Sequence, residues 1–269
     1  MISNSVITAM LVEGLFCTLL PFALLILWVR KTRAKVKPFF IGAATFILFA
    51  LVLEQILHYF CLIAVNPVST AINGSVVLMT LYGGLAAGIF EETGRLVAFK
   101  LMKKHTDRKT AITYGIGHGG IEAILLVGMN MTLYAVYAMM INRNGADAFA
   151  AQIGDAEAAG ILVHSLQAMN PLVCLYGAWE RVSAIILHIS LSVLVFRAVH
   201  TPGKKYLYPV AILLHAGLDF IAVLYQQGIL TSLLLTEILV SAFVVLVAIF
   251  AWKVYHQMPE TTKGEEQQC

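Results

Sequence analysis

About seven apolar runs, each close to the roughly 20 residues that a helix needs to cross hydrocarbon, dominate this chain and leave little of it for anything else. They lie near Ser5 to Val29, Pro38 to Ala64, Ser75 to Met102, Ala111 to Ile141, Pro171 to Phe196, Leu207 to Gln226 and Ile229 to Trp252. A backbone in lipid must satisfy its own hydrogen bonds, and runs of this length do so as helices. The expected fold is therefore an all-α integral membrane bundle of about seven transmembrane helices, a single polytopic domain over residues 1–269. Composition agrees, since 12% of the residues are charged against roughly 25% in soluble domains.

The charges outside the runs carry topology. Arg30, Lys31, Arg33, Lys35 and Lys37 follow the first run, and Lys100, Lys103, Lys104, Arg108 and Lys109 follow the third. Lys204 and Lys205 lie between the fifth and sixth, and Lys253 and Lys263 follow the last, whereas Asn66 to Gly74 contains no Lys or Arg. The positive-inside rule then puts the amino terminus outside and the carboxyl terminus in the cytoplasm. The net charge of +3 is spread over these short clusters, which read as topology signals with lipid as their neighbour and no nucleic-acid face. No basic n-region precedes the first run, so it is expected to remain in the mature protein. Cys17, Cys61, Cys174 and Cys269 have no spacing that implies a disulfide framework. The alanine-rich loop before Pro171 is expected either as a helix on the outer membrane surface or as a flexible loop.

Ionisable side chains inside the runs are costly, so each must be paired, wetted or functional. The third run reads GGLAAGIFEETGR, with Glu91 and Arg95 one turn apart, Glu92 beside them, and Gly84 and Gly88 open to close approach by another helix. The fourth reads YGIGHGGIEA, with His118 and Glu122 on one face, and the sixth reads LLHAGLDF, with His215 and Asp219 likewise. Counting from the basic ends at 1.5 Å per residue, Glu91 and Glu92 fall at roughly 15 to 17 Å, His118 at about 11 Å, and His215 and His188 at about 14 Å. Agreement within about one turn predicts that Glu91, His118 and His215 meet in one cavity. Glu13, Glu54, His58, Glu180 and Arg181 fall nearer the outer side and read as structural pairs, Arg181 with a carboxylate. The bland alternative for the inner group is a Glu91–Arg95 ion pair with core histidines bonded to Glu122 and Asp219. Arg95, a planar guanidinium, is better suited to holding carboxylates than to reacting.

At these residues the sequence resembles the CAAX-protease and bacteriocin-processing superfamily of intramembrane proteases. The motifs stand as Glu91, Glu92 and Arg95; Tyr114 and His118; and His215 and Asp219. The GHGGIEA stretch makes it most similar to the YhfC-type branch of bacterial membrane proteins, over about residues 80 to 225. Tyr114 stands where the prenyl-protein proteases usually have Phe, and Asp219 where Asn is usual. The resemblance implies a multi-pass protein of the bacterial plasma membrane that cleaves a membrane protein or peptide. Glu91 would activate water with His118, and His215 would polarise the carbonyl with Asp219 orienting it, while Glu92, Arg95, Glu122 and His188 support them. This scheme requires no metal, yet Glu91, His118 and His215 with one open position would also suit zinc. A proton-coupled transporter or channel gathers the same residue types at mid-membrane, and a non-catalytic scaffold or immunity-type protein would keep the glycine-rich faces for a partner helix.

Overall fold

A computed structural model describes residues 1–102 and 105–259. Lys103, Lys104, Lys263 and Cys269 lie outside the described residues. Among the described residues the protein is all-helical, and it has seven helices long and apolar enough to cross a membrane. These are α1 (Asn4–Thr32), α2 (Lys37–Ile63), α3 (Val76–Leu101), α4 (Lys109–Asn144), α5 (Pro171–His200), α6 (Leu207–Gln226) and α7 (Leu233–His256). Each coincides with one of the apolar runs to within a few residues.

Polar caps begin several spans. The side chains of Ser3, Ser75 and Ser232 accept from the backbone N–H three residues on, and Asn170 caps α5 with Pro171 in its first turn. Two spans are not regular throughout. In α2 the turns at Phe49–Glu54 and Tyr59–Ile63 are widened to π geometry, and in α4 the same occurs at Ala123–Gly128. Such turns add a residue and rotate every side chain beyond them about the helix axis.

The helix at the centre is α5, with 78% of its most apolar stretch buried against 22% to 33% for the others. It packs on α1, α3, α4, α6 and α7, while α2 closes the far side against α3 and α4. Near the basic loops the core contains Phe99, Tyr114, Leu191, Leu194, Phe196 and Val247. At the opposite end, helices Ala146–Ile153 and Ala156–Ala168 occupy the alanine-rich loop and bury Phe149, Ala159 and Leu166 against Met10, Ala135 and Ile141. The loop is thus helical, where a helix or a flexible loop was expected, and its two helices pack on the bundle. Cys17, Cys61 and Cys174 are free thiols.

Candidate active site

Glycines bring the site helices together. On α4, a Cβ at Gly117 would overlap the backbone of Phe39 on α2, and one at Gly115 would come within 2.5 Å of Ile189 Cα on α5. His118 follows Gly117 directly and is wholly buried, with Tyr114 stacked on its ring at 5.8 Å and Phe46 edge-on at 5.3 Å. Gly84 and Gly88 perform the same service between α3 and α6, where an added Cβ would stand 2.8 Å from the carbonyls of Ala216 and Ile212. The close approach expected at those two residues is therefore filled by the helix that carries His215.

The groups matched by depth meet. Glu91 Oε2 lies 2.9 Å from His118 Nε2 and 3.8 Å from His188 Nδ1, and Glu91 Oε1 is 3.9 Å from His215 Nε2. Arg95 pairs with Glu92, three residues back on its own helix, and not with Glu91 as the i, i+4 spacing suggested. Glu92 Oε1 also accepts from His215 Nδ1 at 2.8 Å. The direct hydrogen-bond partner of His215 is thus Glu92, whereas Asp219 Oδ2 stands 3.6 Å from Nε2, beyond direct hydrogen bonding. Both Glu92 and Arg95 are wholly excluded from solvent, so each is the other's compensation.

Arg95 Nη2 can only donate, so His188 Nδ1, 3.1 Å away, accepts, and its other nitrogen, Nε2, is ion-paired with Glu122 Oε2 at 2.5 Å. Glu122 Oε1 accepts in turn from Arg181 Nη1 at 2.6 Å, and Arg181 also pairs with Glu180. The pairing of Arg181 with carboxylates is as expected, but one of them belongs to the inner group, so the two layers are joined. Glu122 does not bond His118, its neighbour one turn back; it holds His188 on another helix.

Glu91, His118 and His188 each offer a ligand atom within 4.8 Å of the others. This trio takes His188 where the sequence pointed to His215, which is held by Glu92 instead. Two imidazoles and one carboxylate are a zinc donor set, and a carboxylate beside a ligand histidine's other nitrogen, as Glu122 is beside His188 Nε2, is a usual outer partner. The residues fit the ion.

Glu54 is buried at the end of the first π-helical turn of α2 and pairs with His58 at 3.2 Å, as an outer structural residue should.

The YhfC intramembrane metalloprotease family model matches residues 16–240, spanning every residue of this cluster. The chain belongs to that family. It is 36% identical over 243 residues to the uncharacterized membrane protein YhfC of Bacillus subtilis (strain 168), covering 90% of this chain and 93% of the relative. No solved structure matches. The family description and the seven apolar spans agree that this is a multi-pass membrane protein, and the description names the metal-dependent class to which the trio's chemistry corresponds.

Proposed function

We propose that the protein hydrolyses a peptide bond of a membrane protein or membrane-associated peptide at the Glu91, His118 and His188 group. The observation that carries this reading is the convergence of those three buried side chains from α3, α4 and α5, with His215 facing them. Zinc, when bound, supplies Lewis acidity that polarises a carbonyl and makes water nucleophilic at neutral pH. Glu91, His118 and His188 would hold it.

His215 is the proton-handling group. Glu92, itself ion-paired to Arg95, fixes the imidazole through Nδ1, so Nε2 faces the gap between Glu91 Oε1 at 3.9 Å and Asp219 Oδ2 at 3.6 Å. Those separations suit an intervening oxygen better than a direct bond. In that position Nε2 exchanges a proton with the reacting oxygen while Asp219 balances the charge on the ring. Arg95, in this scheme, is a positioning residue. A cleft of about 880 Å³ between α2 and α3 supports an apolar segment as substrate, since Phe49 and Gly94 line it and Gly94 is one turn from Glu91.

A metal-free variant, with Glu91 as base and His118 sharing its water, is favoured by one contact: Arg95 donates to the His188 nitrogen that a metal would use. Metal analysis of the purified protein separates the two. One zinc per chain, lost in Glu91→Gln, is expected; a metal-free preparation that still cleaves would establish the variant. For the activity itself, membranes carrying wild type should contain new protein amino termini that membranes carrying Glu91→Gln lack. Identical sets would remove the proteolytic reading. The basic loops favour a cytoplasmic carboxyl terminus; cysteine labelling at residues 106 and 155 should then report opposite sides of the membrane.

A further inference from the structure

At the end of the bundle away from the basic loops, α5, α6 and α7 enclose a second cavity of about 250 Å³. Its polar lining comes from Glu180, Tyr225, Gln226, Thr236 and Glu237, and exposed Gln226 stands at its mouth. Glu237 is 5% exposed, yet its Oε2 has no hydrogen-bond partner. Glu237 lines the cavity, and a buried carboxylate oxygen without a hydrogen-bond partner calls for a cation or ordered water. Glu180, the second carboxylate, is within electrostatic range of Glu237.

We propose that this cavity binds a hard divalent cation such as Ca²⁺, Mg²⁺ or Mn²⁺, held by Glu180 and Glu237 and completed by neutral oxygens. The donors are all oxygen, which selects this class, whereas zinc prefers the nitrogen-rich trio around His118. The cavity is not isolated from that trio. Glu180 pairs with Arg181, Arg181 with Glu122, and Glu122 with His188, so an ion drawing on Glu180 competes with Arg181 for it.

The test is Mn²⁺ titration of the purified, EDTA-treated full chain in detergent, with free Mn²⁺ followed by electron paramagnetic resonance. Wild type and Glu91→Gln should each take up one Mn²⁺ with a dissociation constant in about the 10⁻⁴ to 10⁻³ M range. Glu237→Gln, which keeps the side chain's shape, should weaken that uptake by roughly tenfold or more through loss of ligand charge. Melting in EDTA checks folding, and if Glu237→Gln does not fold, Glu180→Gln decides in its place. Undiminished uptake by the folded variant overturns the proposal. So does absence of millimolar uptake by wild type, or loss of the binding step in folded Glu91→Gln, which would assign the ion to the histidine group.

Discussion

The inner cluster and the cavity at the far end of the bundle both hold carboxylates inside a membrane protein, and they satisfy them differently. Around Glu91 the charges are bound to one another: Glu92 to Arg95 and His215, Glu122 to His188 and Arg181, Glu91 to His118. Glu92 Oε2, Glu122 Oε2 and Asp219 Oδ2 there lack a hydrogen-bond partner, as Glu237 Oε2 does at the far end, but Glu237 is in no ion pair among the described residues. An ion-paired network fixes where each imidazole points, as a reaction centre requires, because moving one member strands another. An unpaired carboxylate leaves coordination to be completed from outside.

The comparison breaks most decisively at Arg95. Arg95→Ala leaves Glu92 buried and uncompensated, and breaking a buried pair from one side costs about 3–5 kcal/mol. The melting temperature in detergent should fall steeply and cleavage should vanish with it; a variant as stable as wild type would mean that the Glu92–Arg95 pair does not hold the cluster together. Glu91→Gln is expected to retain its melting temperature and reduce cleavage by about 100-fold or more. His118→Ala should match it, and the double variant should lose little beyond either, because residues acting as a unit are not additive. Independent, multiplying losses would separate the two residues.

Gly117→Ala tests the packing beneath the network. The added methyl meets the Phe39 backbone, which cannot move aside as a side chain could, so a destabilisation of about 1–3 kcal/mol is expected in a melting series. Asp219→Asn should have the smallest effect. Asp219 makes no direct hydrogen bond to His215, so stability should be unchanged and cleavage should fall less than about tenfold. A loss as large as that of Glu91→Gln would show that its carboxylate takes part directly.

How much was legible depended on which axis of a helix the question concerned. Distance along the axis follows from counting residues, and counting was enough to put Glu91, Glu92, His118, His188 and His215 at one level. Rotation about the axis was legible only within one helix, where i, i+4 spacing suggested Glu91 with Arg95, His118 with Glu122 and His215 with Asp219. The close contacts instead run from helix to helix, as in Glu91 with His118 and Glu122 with His188, or at i, i+3, as in Glu92 with Arg95.

By itself, then, the sequence determined seven membrane spans, because a thickness of hydrocarbon translates directly into a number of apolar residues. It also marked Gly84 and Gly88 on α3 as places where another helix could approach closely, since a missing Cβ is a local property. Only the tertiary structure decided that His188 joins Glu91 and His118 while Glu92 claims His215. That choice depends on how each helix is rotated against its neighbours. The π-helical turns after Leu48 in α2 and after Glu122 in α4 contribute to that rotation, and apolar periodicity does not mark them.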